Sequence, residues 1–331
     1  MICVEHLTKE YKRFVHKNGA FSSFRNLFNR EFEIVKAVDD ISFDINNGEM
    51  VGFIGPNGAG KSTSIKMLTG ILTPTYGKVV IDSINPHKER KLNAKQIGVV
   101  FGQKTQLWWD LPVIESLRLL RDIYKVSDIR FKNNMLLFND MLELYKFQDT
   151  PVRQLSLGQR MRADLAAALL HDPKVLFLDE PTIGLDVITK ERLRQFIKEI
   201  NANNNVTVLL TTHDMSDIEK LCSRMIIINY GRIVYDGSVE QIRMQYGKSR
   251  ILCIEFEDNV PNIKIPYCTL LKSEGKKLWI EFDKNEISSS KIITQMTENY
   301  QITDLTIQEP EIEEIVRSIF QDINTNPNGG M

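Results

Sequence analysis

The chain has 331 residues, 42% of them hydrophobic, which is enough for a sizeable core and excludes wholesale disorder. Its 42 Lys and Arg nearly balance 43 Asp and Glu, so a net charge of −1 gives no footprint for bulk nucleic-acid binding, and nucleic acid is not expected as a partner. Four scattered cysteines (Cys3, Cys222, Cys253, Cys268) suggest neither a zinc site nor a disulfide framework, the charged N-terminal segment does not read as a signal peptide, and no run approaches the ~20 apolar residues of a membrane span.

In chain order, ICVEHL, AVDDISFDI and MVGFIG read as short strands within residues 1–11 and 35–54. Between them lies a basic and aromatic insert, residues 12–34. From residue 50 onward apolar runs alternate with helical patterns, the sign of a parallel α/β sheet. Residues 113–150 are helix-like, with Ile114, Leu117, Leu120, Ile123 and Tyr124 on one face. A helix from about Gln159, a buried strand 175–178, a helix from Thr189, a strand 206–210 and a helix near 215–222 follow. The composition shifts near residue 245. Beyond it the pattern is strand (251–256), strand (269–272), strand (277–282), helix (286–300), strand (302–307) and helix (311–323). This reads as a small α+β domain, residues 246–325, of ferredoxin-like character, with 326–331 as a frayed tail.

Gly55-Pro56-Asn57-Gly58-Ala59-Gly60-Lys61-Ser62-Thr63 matches the phosphate-loop pattern GxxxxGK[ST] between a strand and a helix. Glycines let successive backbone N–H groups face a phosphate chain at a helix N-terminus. Lys61 reaches β and γ phosphates, and the Ser62 hydroxyl suits Mg²⁺. The run Val175-Leu176-Phe177-Leu178 ends in Asp179 and Glu180, so both carboxylates fall at the C-terminal end of a central parallel strand, where ligands bind. Asp179 is the candidate for holding Mg²⁺ through water, and Glu180 for orienting or deprotonating an attacking water. Gln103, after the apolar run 97–101, is a candidate Mg²⁺ ligand and water sensor, with Gln106 as a rival. His213, after the strand 206–212, is placed to touch a γ-phosphate.

Leu155-Ser156-Leu157-Gly158-Gln159 opens a helix, with Ser156 as N-cap. With the preceding motifs it resembles the LSGGQ signature of ATP-binding cassette (ABC) ATPases, with Leu157 in place of the first glycine. The order of motifs agrees: the phosphate loop, Gln103, the signature, the strand ending in Asp179 and Glu180, EPTIGLD with Asp186, TTHD with His213, and YGRIVYDG. Gln103 is preferred to Gln106 because Leu107, Leu111 and Val113 then fall at the family's offsets. The resemblance implies a P-loop NTPase cassette over residues 1–245, with a mixed sheet core and a helical subdomain near 104–165. It further implies ATP and Mg²⁺ as cofactors, and an aromatic that stacks the base, matched by Tyr11 with Phe14 and Phe32 as rivals. Two cassettes would pair head to tail, so that Ser156, Gly158, Gln159 and Asp186 meet the partner's nucleotide. Leu157 is expected to point away from the phosphates, toward the dimer or membrane-subunit surface. A membrane-spanning permease subunit and a place at the cytoplasmic face of the cell membrane are implied.

The combination of VVFGQKTQLWWDLP, LSLGQ and the C-terminal domain resembles drug-type exporters. An importer ATPase with a substrate-sensing C-terminal domain and a soluble non-transport ABC ATPase are the alternatives. In the insert, Phe21, Phe24, Leu27 and Phe28 share one helix face, with Lys12, Arg13, Lys17, Arg25 and Arg30 nearby. The segment reads either as a surface loop stapled to the cassette or as an amphipathic helix at the membrane.

Overall fold

The computed structural model describes residues 1–14, 32–102, 104–247, 249–258, 260 and 265–325. The chain divides into two compact units, Met1–Asp236 and Gly237–Met331.

In the first unit, strands β1 (Ile2–Phe14), β2 (Phe32–Ile45), β3 (Met50–Ile54) and β4 (Tyr76–Ile81) flank helix α1 (Lys61–Leu68). Helix α2 (Arg90–Gln96) and strand β5 (Ile97–Phe101) follow, then helices α3 (Val113–Tyr124), α4 (Asp128–Leu142) and α5 (Leu157–Leu169). Strand β6 (Val175–Asp179), helix α6 (Val187–Asn204), strand β7 (Thr207–Thr211), helix α7 (Met215–Leu221) and strands β8 (Arg224–Asn229) and β9 (Arg232–Ser238) complete it. One sheet has the order β2-β1-β4, antiparallel throughout, and the other β5-β6-β7-β3-β8-β9. From β5 to β8 the second sheet is parallel. Its central strands are buried on both faces, which is why MVGFI and TVLLT are apolar without alternation. One core joins the two sheets to α1, with Ile2, Leu7, Ile41, Phe53, Ile65, Met67 and Phe177 among its fully buried members.

Several helix starts are set by caps that lie ahead of the apolar periodicity. Ser156 caps α5 in a reciprocal box with Gln159, so the helix begins at Leu157 rather than near Gln159. Asp186 caps α6, which begins two residues before Thr189. The helix-like stretch 113–150 is two α-helices and a short 3-10 turn, Leu144–Lys146, because Lys125 and Glu143 adopt left-handed backbone and Ser127 caps a new start.

The insert assignment needs correction at its ends. Lys12–Phe14 and Phe32–Ile34 continue the β1/β2 ladder, with Phe14 opposite Phe32 and their rings 4.5 Å apart. The helix face formed by Phe21, Phe24, Leu27 and Phe28 lies outside the described residues, as do Gln103 and the tail 326–331.

The second unit contains helix α8 (Val239–Tyr246), strands β10 (Ser249–Phe256), β11 (Cys268–Glu274) and β12 (Lys277–Asp283), helix α9 (Ser289–Asn299), strand β13 (Ile302–Gln308) and helix α10 (Ile312–Thr325). The sheet order β11-β12-β10-β13, all antiparallel, is the strand order of a split βαβ sheet. Of the two crossovers in such a fold, α9 supplies one. The other, residues 257–267, has no helix among its described residues. This unit begins at Gly237 rather than near residue 245. Helix α8 groups with it because Ile242 is buried and a side chain on Gly247 would touch Ile315 of α10.

Candidate functional site

The phosphate loop runs from the end of β3 into α1. Its glycines answer to space as well as to conformation. A Cβ on Gly55 would lie 2.2 Å from the Ile228 carbonyl oxygen, and one on Gly60 2.5 Å from that of Ala37. Gly60 also has φ of 108°, a value that L side chains rarely adopt. Asn57, Gly58 and Ser62 are exposed, so the loop's concave side is open. Lys61 is 7% exposed, and its Nζ donates to the carbonyls of Gly55 (2.5 Å) and Pro56 (3.0 Å). Burial lowers its pKa from the ordinary lysine value, while the negative charges of Glu180 and Asp179 act the other way. The loop thus holds a desolvated cation bonded to two of its own carbonyls.

Asp179 ends β6 and Glu180 follows with left-handed backbone, φ 56°. This turn splits the two carboxylates. Asp179 Oδ1 accepts from Thr211 Oγ1 at 2.6 Å, and the Glu180 amide donates to the Thr211 carbonyl at 2.9 Å. Glu180 Oε1 lies 2.6 Å from His213 Nε2. A cavity of ≈ 420 Å³ has Ser62, Gly102, Lys104, Asp179 and Glu180 in its wall. Parallel strands β5 and β6 therefore bring two carboxylates and the two residues flanking Gln103 to one opening, where the start of α1 adds the Ser62 hydroxyl. Its rival Gln106 is occupied elsewhere: its Nε2 donates to the Asp164 carbonyl at 3.0 Å and its amide to Asp164 Oδ1 at 3.0 Å.

At the start of α5, the Gln159 amide donates to Ser156 Oγ (3.2 Å) and the Ser156 amide to Gln159 Oε1 (2.9 Å). Leu157 does not cover this end. Its Cδ2 sits 2.7 Å from the point where Gly184 would carry a Cβ, so the side chain lies across Gly184 within the same chain. There it helps to line a groove of ≈ 350 Å³ together with Gly102, Lys104, Arg160 and Ile183. Asp186 is engaged locally: its carboxylate accepts from the Thr189 amide (2.9 Å) and Oγ1 (2.7 Å), and these bonds hold its pKa below the usual carboxylate value. Tyr11 is partly exposed on β1 opposite Val35, with Lys9 Nζ 5.4 Å from its ring centroid. Phe14 and Phe32 meet in a tilted ring pair further along the ladder.

Thr211, which fixes Asp179, and a buried group of Thr182, Thr212, Arg194 and Asp217 escaped the reading of the sequence. Thr182 lies within EPTIGLD and Thr211 and Thr212 within TTHD, but those motifs point to Asp186 and His213 and not to the threonine hydroxyls. Asp217 on an ordinary amphipathic turn is indistinguishable from a solvated acid until the fold buries it.

The residues present fit a phosphate chain and a hard divalent cation. A hydroxyl and a carboxylate are the oxygen donors Mg²⁺ takes alongside phosphate oxygens and water. Among the described residues there is no cluster of three or more His, Cys, Asp or Glu suited to a metal held by protein alone. No described helix is long and apolar enough to cross a membrane.

Comparison with known proteins agrees with this geometry. Residues 38–183 match the ABC_tran family, described as ABC transporter. The chain is 32% identical over 215 residues to the ABC transporter ATP-binding protein NatA of Bacillus subtilis, covering 65% of this chain and 87% of that one. It is 32% identical over 284 residues to the methionine import ATP-binding protein MetN 2 of Enterococcus faecalis, covering 83% of this chain and 81% of the relative. Among solved structures, the dimer of the ATP-binding cassette MJ0796 in a post-hydrolysis state with ADP and Pi aligns with a TM-score of 0.61 and 29% identity, over 72% of this chain and 99% of that one.

Proposed function

We infer the working of this chain from one premise: it belongs to the ABC transporter family of ATP-binding proteins. It is an ABC ATPase, the ATP-binding subunit of a transporter, with ATP and Mg²⁺ as its cofactors. Cassettes of this family dimerise and associate with membrane permease subunits.

Beyond that premise, we propose the following division of labour. The loop 55–63 cradles the phosphates, and Lys61 neutralises β and γ oxygens. Tyr11 stacks the base. Ser62, Gln103 and, through water, Asp179 would hold Mg²⁺, which would offset charge developing on the transferred phosphoryl group. Glu180 orients the attacking water and takes its proton. His213 Nε2 lies 2.6 Å from Glu180 Oε1, so the imidazole orients that carboxylate toward the water and stands within reach of the γ-phosphate. Ser156, Gly158 and Gln159 present the N-terminal end of α5 to the nucleotide of a second cassette, and Asp186 lies at the same junction. Closure is then driven by ATP and released by hydrolysis.

The observation that carries this reading is the 2.6 Å contact of Glu180 and His213 at the rim of the cavity that contains Ser62 and Asp179. Glu180→Gln tests it. Hydrolysis by the purified full chain should fall at least a hundredfold, ATP binding should persist, and an ATP-bound dimer should accumulate. Near-normal turnover would refute the assignment.

For transport direction we propose export from the cytoplasmic face of the membrane, on the resemblance of residues 99–112 and 155–159 to drug-type exporters. The second reading, import, draws on the similarity to MetN 2, which spans 83% of this chain. Vesicles containing the co-purified permease decide between them by the direction of ATP-driven movement. Calorimetry of the full chain with L-methionine tests the sensing role of the C-terminal unit.

A further inference from the structure

We propose that Asp217 is a positioning residue for the Glu180–His213 pair: one buried carboxylate holds the two loops that carry them at a fixed spacing. The proposal rests on the roles assigned above to Glu180 and His213. One loop leaves β6 with Glu180, the other leaves β7 with His213, and each carries a threonine close to the working residue. Thr182, two residues beyond Glu180, donates its Oγ1 to Asp217 Oδ2 at 2.6 Å. Thr212, immediately before His213, donates its Oγ1 to the same oxygen at 2.8 Å. The other oxygen, Oδ1, accepts from Arg194 Nε at 2.7 Å, and Arg194 also donates to Ser216 Oγ at 2.9 Å.

Asp217 is 0% exposed, Thr182 and Thr212 are each 2% exposed and Arg194 is 6% exposed. At that depth water does not compete for the hydroxyls, and their hydrogen bonds act at full strength. A buried carboxylate–guanidinium pair is a poor source of stability, because apolar residues of similar volume stabilise as well or better. Its use here is geometric. Both threonines converge on a single acceptor oxygen, so neither loop can shift without breaking a charge-assisted hydrogen bond, and a shift of either loop changes the distance between Glu180 and His213. Asp217 itself touches neither of those residues through any described hydrogen bond. Displacements of about 1 Å at reacting groups are enough to cost roughly a hundredfold in rate.

The test uses the full-length chain with ATP and Mg²⁺ under single-turnover conditions, so that slow variants remain measurable. Thr182→Val keeps shape and removes the donor, and Thr182→Ser keeps the donor. Thr182→Val should lower the hydrolysis rate at least tenfold with ATP affinity close to the parent's and a melting temperature lower by several degrees, and Thr182→Ser should return the rate to within threefold. In a His213→Ala background, Thr182→Val should add less than a twofold further loss, because the spacing it sets no longer matters. If Thr182→Val fails to fold, Thr182→Ala, which leaves room for a water beside Asp217, gives the same readout. An unchanged rate in the single variant, a loss that multiplies in full on His213→Ala, or no recovery in Thr182→Ser would overturn the proposal. Failure of the catalytic reading itself is seen separately, as near-normal hydrolysis by Glu180→Gln.

Discussion

Replacing Asp164 by Asn should stabilise the first unit, and the gain should shrink as the pH falls. Asp164 sits in α5 and is 4% exposed, with Oδ1 accepting from Thr105 Oγ1 at 2.8 Å and from the Gln106 amide at 3.0 Å. Burial pushes its carboxyl up from 3.8 to about 6, against the opposing pull of those two hydrogen bonds and of Arg160. The folded state therefore holds this proton more tightly than the unfolded chain. Stability is unpenalised below the unfolded value, falls as the pH rises through the interval between the two values, and levels off above the folded one. At about 1.4 kcal/mol per pH unit, a shift of this size amounts to roughly 3 kcal/mol at pH 8 and about half of that at pH 5. An Asn oxygen accepts the same two hydrogen bonds without the charge. Its NH₂ group faces the groove that Asp164 lines with Lys104 and Arg160, where water can reach it. For a unit of this size each kcal/mol corresponds to roughly 2–4 °C in melting temperature. The assay is thermal unfolding of both proteins at pH 5, 6.5 and 8. A variant no more stable than the parent at pH 8, or equally favoured at pH 5 and 8, would show that Arg160 and the hydrogen bonds already compensate the buried charge.

Lys61→Ala should leave the fold intact, since its amino group bonds only to its own loop's carbonyls, yet weaken ATP binding by roughly 1.5–3 kcal/mol, a tenfold to hundredfold rise in Kd by equilibrium titration. Ending the chain after Asp236 should leave a folded, nucleotide-binding unit, because every residue proposed for the site lies before that point. Ending it after Tyr246 should instead expose Ile242 and promote aggregation, which light scattering would detect. Equal behaviour of the two truncations would contradict the boundary.

Local chemistry made much of this protein legible from its sequence. The phosphate loop is written in consecutive residues, because a backbone cradle needs glycines at set offsets ahead of a helix N-terminus. The carboxylates at the end of β6 are visible because a strand buried on both faces is a continuous apolar run that charge must terminate. The cap at Ser156 and the alternation of strands and helices are likewise short-range.

Tertiary structure alone decided three things. Leu157, still 39% exposed, rests against Gly184, 27 positions away, a seat that exists only because Gly184 carries no side chain. Lys12–Phe14 and Phe32–Ile34 read as part of the insert because exposed charged and hydrophobic side chains mix there without alternation, whereas backbone pairing across the insert makes them strands. Asp217 carries no signal of its own on a short helix. Its burial and its convergence of Thr182, Thr212 and Arg194 depend on three segments meeting in space. Periodicity reports which face of an element is apolar; it does not report which buried polar atoms find each other, because hydrogen-bond partners are set by distance in the fold and not by separation along the chain.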